Sequence, residues 1–163
     1  MKYCSHCGKE IHEEAEICVH CGCRVEKNRS ALLHLKTDRT LVKYIFLSIL
    51  TFGIYGLVQM SGVSTDINIV ASPHDGKKTM HFCLMFFVMT WLTLGIAPLV
   101  WYNNISERIG RELQRRGISY EFGARTYWLW NILGSLIMVG PFIYYHRLFK
   151  SMNLIAEDYN LHG

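Results

Sequence analysis

Read for its apolar and polar positions, the chain alternates long uncharged runs with shorter polar stretches. No Asp, Glu, Lys or Arg occurs from Tyr44 to Thr65, from Thr79 to Ser106, or from Thr126 to His146. A helix rises about 1.5 Å per residue, so some 20 residues cross a hydrocarbon core of about 30 Å. Each run therefore predicts a membrane helix. Behind each run, apolar residues keep the spacing of one helix face. They are Val63, Ile67 and Val70, then Ile105, Ile109 and Leu113, then Leu148, Met152, Ile155 and Tyr159. In the second tail, Glu107 with Arg111 and Glu112 with Arg116 add oppositely charged pairs four residues apart.

The runs repeat one another. LTFGIYGLVQ, residues 50–59, returns as LTLGIAPLVW, residues 92–101, and more loosely as LIMVGPFIYY, residues 136–145. A period near 42 residues that holds three times predicts three copies of one unit. Each copy reads as an apolar helix, an interrupted middle and an amphipathic tail. The chain then divides into a cysteine-rich head (1–25), a basic connector (26–40) and a membrane domain of three degenerate repeats (41–163). Gly53, Gly56, Gly95, Pro98, Gly140 and Pro141 fall where a helix would kink or admit a neighbouring backbone closely. Three full spans are the expected arrangement. The alternative is three re-entrant hairpins, which would leave all the tails on one side at the cost of irregular backbone in lipid.

Charge placement bears on orientation. Six Lys or Arg residues lie in 24–43 and five in 103–125, against two each in 61–81 and 146–163. The positive-inside rule puts the first two of these segments in the cytoplasm. These basic residues flank apolar runs and do not build one basic module with interleaved aromatics, so a nucleic-acid partner is not expected. Met1 is followed at once by a polar, Cys-rich stretch with no apolar signal core, so the amino terminus is expected to remain cytoplasmic.

That head carries CSHCG and, ten residues after Cys7, CVHCG. Two C-x2-C turns can aim four thiolates at one tetrahedral ion. Gly8 and Gly22 supply the backbone freedom such turns need. Cys4, Cys7, Cys18 and Cys21 are the expected ligands, with Cys23 a surplus thiol. Four sulfurs leave no position for water, so a structural Zn is expected, not a catalytic one. Residues 1–25 resemble a bacterial zinc ribbon. So small a unit depends on its metal to fold.

LSILTFGIYGLVQ and MTWLTLGIAPLVW, with LGSLIMVGPFIYY as a weaker third copy, resemble the recurring LSIxTxGIYGxYW phrase of the bacterial membrane proteins catalogued as domain of unknown function 4234. Gln59 stands where that phrase has Trp, Pro98 where it has Gly, and the third copy lacks the Gly-Ile pair. The resemblance implies an all-α membrane domain of three transmembrane or re-entrant helices with amphipathic tails, often preceded by a zinc ribbon, and supplies no mechanism.

Ser48, Thr51, Gln59, Thr90, Thr93, Asn131 and Ser135 mark mildly polar helix faces. Their polar groups either bond within and between helices or line a path in an oligomer. Neither H-E-x-x-H nor a phosphate-binding glycine loop occurs, and no enzyme is expected. The reading is a multi-pass protein of the bacterial cytoplasmic membrane, homo-oligomeric, acting as an interaction or assembly module whose cytoplasmic ribbon docks a protein. The alternative is a small homo-oligomeric channel or carrier.

Overall fold

The computed structural model describes residues 2–4, 6–12, 17–23 and 34–163. Arg24, Lys27 and Arg29 of the basic stretch, and the connector as far as Leu33, lie outside the described residues. The chain divides into two units, Met1–His34 and Leu35–Gly163. In the first, strands β1 (Lys2–Tyr3) and β2 (Glu10–Ile11) pair antiparallel around the first C-x2-C turn.

The second unit is helical and consists of three hairpins. In hairpin 1, α1 (Leu41–Leu50) runs out and α2 (Ile54–Asp75) returns. In hairpin 2 the outbound arm is α3 (Phe82–Leu84), a π-helical turn (Met85–Met89) and α4 (Thr90–Leu92), and α5 (Ile96–Arg115) returns. Hairpin 3 goes out through α6 (Ala124–Thr126), a π-helical stretch (Tyr127–Ile132) and a 3₁₀ stretch (Leu133–Ile137), and α7 (Gly140–His162) returns. The arms lie close together. A Cβ on Gly56 would sit 3.1 Å from Ser48 Oγ, Trp101 Nε1 donates to the Met80 carbonyl at 2.8 Å, and Gly134 lies against Gly140.

The expectation of three full spans is therefore corrected. Among the described residues no helix is long and apolar enough to cross a membrane. The apolar runs are real, but each is divided between an arm and the start of a return helix. Each of the longer helices runs into charged sequence before it ends.

The amphipathic tails form the core. Val63, Ile67, Ile105, Ile109, Leu113, Leu148, Met152 and Ile155 are fully buried, and Val70 nearly so. Each such side chain removed from water is worth roughly 1.5–3 kcal/mol. Polar contacts fix the relative direction of the helices. Tyr102 and Tyr145 share a hydroxyl contact of 3.0 Å near the starts of α5 and α7, and Arg116 pairs with Asp158 near their ends. These helices are therefore parallel and in register. Arg39 ties in α2, bonding Asp66 there while its backbone binds Asn153 of α7 at the corresponding level.

The three hairpins close on one another in a cycle. Asn68 of α2 donates to the Thr79 carbonyl (2.8 Å) and accepts from its N–H (2.7 Å), clamping the strap that enters hairpin 2. Asn153 of α7, two repeats on, clamps Arg39 at the entrance to hairpin 1 in the same two-sided way (2.8 and 3.2 Å). The position between them in the repeat is Gly110 of α5, where a Cβ would collide with the Phe122 carbonyl oxygen at the entrance to hairpin 3. Here the strap lies directly on the helix backbone. Asn160 holds Leu35 as Asn153 holds Arg39, so residues 35–40 of the connector belong to the helical unit.

Ion pairs gather at the end of the bundle away from the turns. Arg108 is buried and bonds Asp75, Ser72 Oγ, Thr79 Oγ1, Asn68 and the Lys77 carbonyl. Burial opposes ionisation of Asp75, yet the bonds from Arg108 and from the Lys77 N–H leave its carboxyl below the ordinary range. Both expected four-residue pairs form: Glu112–Arg116 at 2.7 Å is buried, and Glu107–Arg111 at 3.7 Å is exposed.

The strap contact gives a test. Gly110→Ala should lower stability by about 1–3 kcal/mol through overpacking. Gly62→Ala, whose Cβ would meet only Arg39 at 3.7 Å, should be neutral or mildly stabilising. Thermal unfolding in detergent compares the two.

Candidate functional site: a four-cysteine centre and three apolar turns

The two C-x2-C turns have matching backbone hydrogen bonds. Gly8 N–H donates to the Cys4 carbonyl at 2.9 Å and Gly22 N–H to the Cys18 carbonyl at 2.8 Å. Both glycines have φ near +70°, in the left-handed region where a side chain is unfavourable. The sulfurs of Cys4, Cys7, Cys18 and Cys21 all lie within 4.8 Å of one another, and Cys4–Cys21 and Cys7–Cys18 are each 3.7 Å apart. Ligands at about 2.3 Å from one tetrahedral ion sit about 3.8 Å apart, so this donor set fits a metal. The backbone N–H groups of Cys7 and His6 draw the Cys4 thiol down to about 6, and that of His20 lowers Cys18. Cys4 and Cys18 are buried, Cys7 and Cys21 exposed, and Cys23 lies outside the cluster.

At the turns of hairpins 1 and 2 one construction appears twice. Gly53 N–H reaches back to the Ser48 carbonyl (2.7 Å) and Phe52 N–H to Ile49 (3.3 Å), ending α1. Gly95 and Leu94 repeat this with Thr90 (2.8 Å) and Trp91 (3.4 Å). Such a closure demands a left-handed residue just past the helix, a place glycine ordinarily takes. Here it is Phe52, with φ +51°, and Leu94, with φ +50°; glycine follows at φ +89°. The threonine spans the break. Thr51 Oγ1 donates to the Leu47 carbonyl (2.7 Å) and accepts from the Tyr55 N–H (2.9 Å). Thr93 does the same with Met89 (2.7 Å) and Ala97 (2.8 Å). The repeated T-x-G is thus a helix-reversal signal.

The expected kinks at Gly53, Gly95, Pro98 and Pro141 are accordingly corrected. Both glycines lie in turns that end helices. Pro98 and Pro141 sit in the first turns of α5 and α7, where the missing N–H has no intrahelical partner to lose. Gly56 and Gly140 do serve close packing between arms. Hairpin 3 turns differently, with Met138 left-handed at φ +57° and Ser135 Oγ bonded to the Ile132 carbonyl at 2.6 Å.

The polar face expected from the sequence dissolves mostly into local bonds. Beyond Thr51, Thr93 and Ser135, Thr90 Oγ1 donates to the Met85 carbonyl at 3.0 Å and Gln59 to Tyr55 at 3.2 Å. Asn131 lies on the third outbound arm, and the Ser48 hydroxyl is buried without a partner among the described residues.

Sequence reading missed that the turn residues themselves are conspicuous. Phe52, Leu94 and Met138 are 98, 94 and 80% exposed. Trp91, Leu92, Leu136 and Ile137 beside them are exposed as well. Each turn immediately precedes a return helix, and the return helices run parallel, so all three turns lie at one end of the bundle. The signal for this was the invariant order of threonine, large apolar residue and glycine in the first two copies.

The geometry defines a helical unit of three reversing repeats whose turns are apolar. A family model described as Domain of unknown function (DUF4234) matches residues 39–111, which takes in hairpin 1 and most of hairpin 2. The match supports the resemblance drawn from the repeat. No curated protein and no solved structure matches the chain.

Thr51→Val and Thr93→Val should each cost about 1 kcal/mol by removing the hydroxyl bridge, with the Ser variants close to wild type. Thermal unfolding of the detergent-purified chain measures this.

Proposed function

We propose that this is a membrane-anchored zinc-ribbon protein. Its three apolar turns dip into the cytoplasmic leaflet of a bacterial inner membrane, and its ribbon docks a cytoplasmic protein. The observation that carries the membrane half is the trio Phe52, Leu94 and Met138, left-handed and exposed at one end of a parallel bundle. A left-handed non-glycine residue costs about 1–2 kcal/mol. No contact with the described residues at these sites offsets it. Removing such a side chain from water into lipid gains roughly 1.5–3 kcal/mol, enough to make a bulky residue preferable to glycine there.

Length supports the same reading. The ten residues of α1 span about 15 Å, half of a 30 Å hydrocarbon core, so an arm reaches the midplane and turns back. The irregular backbone at each turn is largely closed by its own hydrogen bonds, which answers the objection to hairpins in lipid. Of the basic residues, Lys77, Lys78, Arg108, Arg111, Arg115 and Arg116 follow the apolar stretches toward the polar end, as a cytoplasmic face favours. Self-association within the leaflet remains part of the proposal, since large apolar surface stays exposed on the arms.

Zinc in the ribbon is supported by four sulfurs within 4.8 Å of one another, a donor set that would fill a tetrahedral sphere and make the site structural. The ion would hold the two turns together and leave the exposed residues around Val19 as a docking surface.

Replacing Phe52, Leu94 and Met138 together by Gly should relieve turn strain, leaving thermal stability in detergent equal or higher. The same variant should lose vesicle binding by a factor of about 10 or more, read by co-flotation. Unchanged flotation would sink the leaflet reading. For the ribbon, full-length protein should carry one zinc per chain by elemental analysis, and Cys18→Ser should abolish it together with recovery of a protein partner, while membrane insertion persists.

A further inference from the structure

Hairpin 2 encloses a groove of about 660 Å³, within the range of small-molecule sites. Its walls are apolar, with Met85 and Met89 from the outbound arm facing Val100 of the return helix. Toward the turn it is lined by Thr93 and Ile96. At the other end its mouth is formed by Lys77, Lys78 and Arg111 with the Glu107 carboxylate beside Arg111, three cations against one anion.

From this we infer a binding site for one anionic phospholipid, its phosphate at the basic mouth and an acyl chain between the arms. The inference rests on the leaflet reading above. From Ile96 to Arg111 along α5 is about 22 Å, close to the depth of one leaflet with its headgroups. Apolar walls thus lie at the depth of the acyl chains and cations at the depth of the phosphates.

The mouth is built, not incidental. Arg108 bonds the Lys77 carbonyl and Thr79 Oγ1, and Asn68 clamps the Thr79 backbone, so the strap carrying Lys77 and Lys78 is held on the bundle. Arg108 itself is committed to Asp75. Arg111 makes a long, 3.7 Å contact with Glu107, its one ion pair among the described residues, and with both side chains half exposed its guanidinium stays open to a headgroup. Lysine and arginine near a membrane surface attract acidic headgroups, and arginine can bind phosphate through two parallel hydrogen bonds. Zwitterionic lipids would fill the same apolar groove but gain less at its mouth.

The test uses full-length protein in uncharged detergent, with lipid per chain counted by native mass spectrometry after addition of phosphatidylglycerol or phosphatidylcholine. One phosphatidylglycerol should be retained, with phosphatidylcholine held about tenfold more weakly. The combined variant Lys77→Gln, Lys78→Gln, Arg111→Gln should lower phosphatidylglycerol retention about tenfold while still floating with neutral vesicles. Ala97→Phe, which fills the groove and keeps every charge, should also lose the lipid. Equal retention of both lipids, full retention by the charge variant, or complete displacement by inorganic phosphate would overturn the site. Wild-type protein that floats with neutral vesicles but retains no phosphatidylglycerol overturns the lipid site alone. Protein that stays off neutral vesicles overturns the leaflet reading, and the lipid site with it.

Discussion

Parallel packing of the three return helices is the constraint on which the rest of the helical unit depends. Antiparallel neighbours can be joined by a short loop; parallel ones need the chain to travel back the full length of the bundle between them. The outbound arms make that journey here, and the straps before them are secured by Asn68, Gly110 and Asn153 at one repeated position. Because the helices run the same way, every reversal falls at the same end. Three turns at one end follow from the topology; that they are apolar is a choice of sequence at Phe52, Leu94 and Met138.

The turns divide between two residues two demands that conflict under the proposed membrane reading. Ending a helix with a left-handed residue favours glycine, whereas the proposed anchoring in lipid favours a large side chain. In hairpins 1 and 2 the chain places the large residue at the first left-handed position and glycine at the second, with threonine closing the break behind them. Where hairpin 3 lacks that trio it turns through a 3₁₀ stretch and sets Gly134 against Gly140, bringing its arms into backbone contact. Two solutions to one reversal account for the weak likeness of the third copy at the level of residues.

Much of this was legible in the sequence. The core faces were read from spacing alone, from Val63 through Ile155, as were the charge pairs of α5 and the four clustered cysteines. The error lay in treating uncharged length as span length. Hydropathy counts apolar residues without asking which way the chain travels, and a run folded at its middle has the same composition as one that crosses. T-x-G twice, each with a bulky apolar residue at x, distinguished the two cases. It passed as a kink because the left-handed demand at x is invisible until the backbone is seen. The clamps were equally hidden: Asn68 and Asn153 are one repeat unit apart from Gly110 on either side, and glycine shares nothing with asparagine except that both admit a close strap.

Departures from the repeat are informative in their own right, because identical copies would give identical seams. At the level where α2 has Asp66 and α7 has Ser151, α5 has Arg108. Asp66 accepts the incoming Arg39 and seals the entrance to hairpin 1 with a buried pair. Arg108 instead bonds Asn68, Ser72 and Asp75 of α2 and Lys77 and Thr79 of the strap that follows it, while the Lys77 and Lys78 side chains stay exposed. Removing one member of a buried charge pair is far costlier than removing an exposed charge, so these two arginines are constrained by folding. Lys77, Lys78 and Arg111 carry no such constraint from the contacts they make. The proposed lipid site would account for their placement around the groove of hairpin 2, which the fold alone does not require.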